Sequence, residues 1–246
     1  MQERTLLKPS AQLQEAAQPI WDQILRHPYL QELRSGTLPL ETFRFYVQQD
    51  WLYLQAFART VAAIAGRSSD PEVTRFLLDW VQPLVGMEYH FHKKHAKTLD
   101  LDFEHITWEM NEANWAYRRH MLAAAHAGST AEALAALLPC PCVYAYVGKV
   151  LAEGPPSPNE MYADWIAFYA PNDEGYRPRV IALEKLYDRV AQGADIATLA
   201  RCAQNYLVSS RYEWWFWDST YNCVTWRVCA CSGSPTWGLV RATRPS

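Results

Sequence analysis

Three residue types capable of covalent or acid–base chemistry stand in unusual surroundings. Cys140 lies in LLPCPCVYAYVG, between two prolines and four residues before Tyr144. Glu213 lies in YLVSSRYEWWFWDSTY, a carboxylate set among aromatic rings. Asp50 lies in FRFYVQQDWLYLQAF. At helical spacing, Tyr46, Asp50 and Tyr53 share one face, and Phe57 extends it. A carboxylate on such a face is costly to bury without a partner. It is either a structural partner for a tyrosine hydroxyl or an arginine, or it faces a ligand between stacking rings. Steps of three and four from Cys202 through Tyr206 and Ser209 or Ser210 place Glu213 mid-way along a buried stripe ending at Trp217 and Thr220 or Tyr221. Burial there raises a carboxyl pKa toward neutrality, which suits a general acid/base; the structural alternative is a pair with Arg211 or another arginine. A buried cysteine is more often a small hydrophobe than a nucleophile. Cys142 competes for the reactive role, but it points about 200° away from Cys140 on a helical wheel.

GMEYHFHKKH supplies Glu88, His90, His92 and His95. A helical di-iron site needs Glu-x-x-His on two helices. That spacing is absent here, so the stretch reads as a largely solvated helix end and no metal site is expected. No phosphate-binding glycine loop, nucleophile elbow or H-E-x-x-H motif occurs.

The elements that must hold these residues are helices. No strand-like alternation or hairpin dipeptide interrupts the helical period. The pattern predicts helices from Ser10 to about His27, with Pro19 a point of kinking, and from Leu40 to Ala65. Asp70-Pro71 opens the next, to about Leu99. Others follow at Asn114–Ala127, from Ser129 or Thr130 onward, at Glu160–Tyr169, at Arg179–Gln192 and at Ile196–Tyr221. Pro139 and Pro141 should break or kink the fifth of these. Seven or eight helices with short connections make one all-α domain over residues 1–221. Residues 222–246 lose the periodicity and form an irregular tail carrying Cys223, Cys229 and Cys231; its C-A-C triplet is exposed and oxidisable in this reading.

Composition excludes other classes. Of 246 residues, 50% are hydrophobic and 20% charged, too apolar for disorder. A net charge of −3 lacks the basic footprint of generic nucleic-acid binding. The 11 Trp and 14 Tyr need a deep core or a ligand for their polar tips. The N-terminal MQERTLLKPS has no apolar stretch of a signal peptide, and no run of about 18 apolar residues predicts a membrane span. Six cysteines without a disulfide-like framework or C-x-x-C pair point to a cytoplasmic chain with reduced thiols.

The segments FRFYVQQDWLYLQAFAR, ALLPCPCVYAYVGKVL, YADWIAFYA and SSRYEWWFWD, in this order and spacing, resemble the TenA family of thiaminase II and aminopyrimidine aminohydrolases. The likeness covers about residues 5 to 221. It implies a haem-oxygenase-like helical bundle that uses no haem or other cofactor and assembles as a homotetramer. It also implies a substrate class, 4-amino-2-methylpyrimidines with a leaving group on the 5-methylene: an amino group in salvage of degraded thiamine, or the thiazolium of thiamine itself. By the resemblance, Cys140 is the nucleophile, Glu213 the general acid/base, and Asp50 the carboxylate that hydrogen-bonds the aminopyrimidine edge. Tyr53 packs on the ring, Tyr117 is a pocket tyrosine, and Tyr144 and Tyr169 hydrogen-bond in the pocket. Around Tyr117 the sequence reads NEANWAYRRH, where the family pattern has a Pro-Thr-like step. Two other functions fit the same bundle: a cofactor-free or di-iron oxidase drawing on Glu88 and its neighbouring histidines, and a non-catalytic pyrimidine-binding protein.

Overall fold

The computed structural model describes residues 7–172 and 175–226, and for residues 83–92 the backbone alone. Among these residues there are ten helices and no strand: α1 Pro9–Leu25, α2 Pro28–Ser35, α3 Leu40–Arg67, α4 Pro71–His95, α5 Glu112–Ala127, α6 Thr130–Leu137, α7 Pro139–Ala152, α8 Glu160–Tyr169, α9 Tyr176–Ala191 and α10 Ile196–Tyr221. The all-α expectation holds, and α8 and α10 match the predicted ranges.

The helices start where short polar side chains can take the orphan N–H groups of a first turn. Asp70 accepts from Glu72 N and Val73 N ahead of Pro71, as its sequence signal predicts. Ser129 and Glu132 form a reciprocal capping box on α6. Asn111, Asn159 and Asp195 cap α5, α8 and α10.

The departures have local causes. The first predicted helix is two, because Pro28 has no N–H to continue α1 and the ring Nδ1 of His27 accepts Tyr29 N to start α2. Pro19 is accommodated inside α1. Gly36, at φ 79°, ends α2 in the left-handed conformation. Helix α4 stops at His95, short of Leu99, and the chain turns through Asp100 at φ 50°. Helix α9 begins at Tyr176, so Pro178 falls in the first turn, where its missing N–H costs no helical bond. Pro139 and Pro141 interrupt the hydrogen-bond ladder between α6 and α7. They do not redirect the chain there, since Leu138 keeps helical dihedrals (φ −56°, ψ −38°).

Residues Thr130–Ala152 together are long and apolar enough to cross a membrane by length and composition, but 83% of their most apolar 18-residue window is buried inside the bundle. Helix α10 packs against α1, α3, α5, α6 and α7, while α3 also contacts α4, α5 and α6. Helices α3, α5, α7 and α10 thus surround a common interior. The start of the expected tail is described only to Trp226, whose Nε1 donates to Met110 O at 2.7 Å. Cys229 and Cys231 lie outside the described residues.

Candidate active site

Helix α3 turns Tyr46, Asp50, Tyr53 and Phe57 inward, as their spacing predicts, and Asp50 is 5% exposed. Helix α5 brings Tyr117, α7 brings Cys140 and Tyr144, α8 brings Tyr169, and α10 brings Glu213. All of these are buried, including Cys140 at 8% and Glu213 at 2% exposed.

The residues form two joined groups. In one, the rings of Tyr53 and Tyr117 lie 5.3 Å apart. The Tyr53 hydroxyl is in hydrogen-bonding reach of Cys140, and the Tyr117 hydroxyl is beside Glu213. Tyr53 Oη is also 3.7 Å from Met121 Sδ. In the other, Tyr144 and Tyr169 have ring centroids 4.8 Å apart. The Tyr46 hydroxyl donates to the Tyr144 oxygen at 3.2 Å and accepts from Trp165 Nε1 at 3.3 Å. Trp217 closes the gap, stacked on Tyr46 at 5.5 Å and 5.3 Å from Tyr144.

Charge couples the groups. Burial raises Glu213 to about 8; the hydroxyl of Tyr117 pulls it down and the charge of Asp50 pushes it up. At neutral pH it is therefore mostly protonated. Oε1 of Glu213 and the hydroxyl of Tyr117 both lack a well-formed hydrogen bond despite being neighbours, an arrangement that leaves both able to engage a third group. Burial pushes Tyr144 well above the usual tyrosine range, with Tyr46, Asp50 and Glu213 adding to it. Burial does the same to Tyr53, followed by Cys140, Tyr117 and Glu213. A buried proton-holding acid, a thiol and a carboxylate around flat rings can bind a planar heterocycle and move protons on it. Arg211, the neighbouring cation that could pair with Glu213, is exposed.

Sequence reasoning missed three contributors. Spacing puts Tyr46 on the inward face without suggesting a role, and its hydroxyl orients Tyr144. Spacing puts Trp217 on the stripe of Glu213, and its ring links Tyr46 to Tyr144. Gly148 carried no signal beyond an isolated glycine in a helical pattern. A Cβ at Gly148 would collide with the backbone of Tyr169, so its absence lets α8 approach α7 closely enough to seat that ring.

Cys142 faces away from the site, as the wheel predicts. Its Sγ is 3.5 Å from Glu184 Oε1, between α1, α9 and α10. His95 is buried rather than solvated and lies 3.3 Å from Asp164 Oδ2. The side chains of Glu88, His90 and His92 lie outside the described residues.

Fold and site together define a class: an all-α, haem-oxygenase-like bundle with a thiol, two carboxylates and tyrosines converging in its interior. A domain of unknown function with a haem-oxygenase-like fold from Shewanella denitrificans OS217 superposes at TM-score 0.68 with 12% identity, over 86% of this chain and 91% of that one. The sequence profile of the TENA/THI-4/PQQC family matches residues 14–223, and the chain belongs to this family. An aminopyrimidine aminohydrolase from Halalkalibacterium halodurans is 32% identical over 88% of this chain and 97% of its own length. A TenA homologue from P. horikoshii OT3 matches at TM-score 0.78 and 31% identity, covering 88% of this chain and 99% of that one.

Proposed function

We propose that the protein is an aminopyrimidine aminohydrolase of thiamine salvage. It converts 4-amino-5-aminomethyl-2-methylpyrimidine and water to 4-amino-5-hydroxymethyl-2-methylpyrimidine and ammonia. The observation that carries this reading is the placement of Glu213, a buried acid raised to about 8, next to Tyr117, with Tyr53 linking that pair to Cys140. The aminohydrolase name of the 32% identical relative supports the same reaction.

In this reaction the thiolate of Cys140 adds to the pyrimidine ring, and the ring's electron pair expels the amine from the methylene. Glu213 gives its proton to the departing nitrogen. Water adds to the resulting exocyclic methylene and returns a proton to Glu213. The ring then expels the Cys140 thiolate. Asp50 accepts hydrogen bonds from the aminopyrimidine edge and favours the protonated ring that the thiolate attacks. Tyr53 packs on the ring, Tyr117 lines the pocket beside Glu213, and Tyr144 and Tyr169 hydrogen-bond within it. Thiamine is a second substrate in this reading, its thiazolium leaving in place of ammonia. A homotetramer in the cytoplasm completes the proposal. Reduced thiols at Cys140, Cys142 and Cys202 fit that compartment, and sedimentation equilibrium would show four times the chain mass.

The test measures ammonia release from the aminomethylpyrimidine beside thiazole release from thiamine, for the wild type and Cys140→Ser. Loss of both activities with retained product binding supports the reading. Near-complete turnover by Cys140→Ser defeats it. Binding without turnover by the wild type would make the protein a pyrimidine binder.

A further inference from the structure

At the end of the bundle bounded by the loop before α5, four buried polar side chains tie three helices together. Gln49, Asn111, Asn114 and Ser219 are each 2% exposed or less. Asn114 Nδ2 donates to the backbone carbonyl of Gln49 at 2.8 Å and to its Oε1 at 3.1 Å. The same Oε1 accepts Asn111 N at 2.9 Å, and Gln49 Nε2 donates to Glu109 O at 2.9 Å. Asn111 caps α5 through Asn114 N at 2.9 Å and donates its Nδ2 to Ser219 Oγ at 3.1 Å. Ser219 Oγ donates in turn to Phe216 O at 3.1 Å.

Each anchor belongs to a turn next to a site residue. Gln49 precedes Asp50, and its carbonyl is the one that accepts from residue 53 in an α-helix. Asn114 is three residues before Tyr117 and on the same face. Phe216 follows Glu213 by three and packs against Tyr53 at 5.9 Å. A shift of one helix against another at these amides would open the 5.3 Å approach of Tyr53 and Tyr117.

We propose that Asn114, acting with Gln49 and Asn111, is a positioning residue that holds α5 in register with α3 and α10, and so keeps the Tyr117 ring against Tyr53 and its hydroxyl beside Glu213. This rests on the reading of Cys140 and Glu213 as the catalytic pair. Asn114 itself touches no reacting atom. Its effect is transmitted through Tyr117, whose hydroxyl pulls the titration of Glu213 down. Releasing Tyr117 therefore raises Glu213 further.

The experiment compares pH profiles of kcat/KM for aminomethylpyrimidine hydrolysis in the wild type, Asn114→Ala, Gln49→Met and Glu213→Gln, each at equal folded concentration by circular dichroism. Gln49→Met keeps length and bulk, so it serves if Asn114→Ala does not fold. The expected result is a loss of about 10- to 100-fold in kcat/KM near neutral pH, with the alkaline limb moved upward by about half a pH unit or more. Activity that falls with the limb unmoved marks a merely structural role and overturns the proposal, as does a change of less than about twofold. Glu213→Gln separates the two readings. If it abolishes turnover while the other variants leave the limb in place, only the positioning role fails. If it leaves turnover intact, the catalytic reading fails and the positioning role falls with it.

Discussion

Cys140 and Cys142 share α7 and a similar enclosure, 8% and 2% exposed, yet they meet opposite surroundings. Cys142 sits 3.5 Å from Glu184, a carboxylate already engaged by Gln14 Nε2 at 2.5 Å and by Arg177 at 3.8 Å. Burial and the charge of Glu184 push its thiol well above the usual range, so it stays protonated. Cys140 looks instead toward Tyr53 and Tyr117 and, through them, toward Glu213, whose Oε1 lacks a well-formed hydrogen bond. The two thiols show that burial by itself does not distinguish structure from chemistry. What differs is the neighbouring carboxyl: on one side its hydrogen bonds are committed, and on the other it holds a proton within a cage of rings.

The comparison breaks first at the thiols. Cys140→Ser should lower aminomethylpyrimidine hydrolysis by at least about a thousandfold, as for nucleophiles that act in concert with an acid/base. Steady-state assays would contradict the contrast if Cys142→Ser lost as much. Glu213→Gln should cost about 10²- to 10⁴-fold in kcat, the usual range for a general acid/base. A smaller loss than Glu184→Gln would reverse the roles assigned to the two carboxyls.

Stability offers an independent reading of Glu213. Its folded pKa of about 8 lies above the ordinary 4.5. Between those values the unfolded chain has released a proton that the native state still holds, so stability falls as pH rises from 4.5 to about 8 and then levels. Glu213→Gln removes this dependence. Thermal melts should therefore show the variant gaining on the wild type as pH increases, by on the order of a few kcal/mol above pH 8. An unchanging difference from pH 5 to 9 would show that the acid is not desolvated.

Gly148→Ala should destabilise the fold by about 1–3 kcal/mol through overpacking against the Tyr169 backbone, and lower kcat/KM by displacing that ring. Denaturant titration together with kinetics would check both; a stable, fully active variant would show that α8 can move aside. The smallest effect belongs to Cys142→Ser, with kcat/KM expected within about threefold of wild type because the residue touches no proposed catalytic group.

Most of the helical layout was legible in the chain because caps and prolines act locally. Asp70-Pro71 and Ser129 announced their helices, and the inward faces of α3 and α10 followed from spacing. What escaped was decided by contacts remote in sequence. The buried setting of Cys142 depends on Glu184 reaching it from α9, 42 residues on. His95 looked like part of a solvated helix end until α8 placed Asp164 beside it.

By itself the sequence determined which residue types stand on which helix faces and which of those faces turn inward, since side-chain type and the 3.6-residue period are local properties. Only the tertiary structure decided that Glu213 meets Tyr117 across α5 and α10, that Gly148 admits Tyr169, and that Cys142 faces a different carboxylate from Cys140. The physical reason is that desolvation and charge coupling are set by distances between helices, which no spacing along one chain specifies.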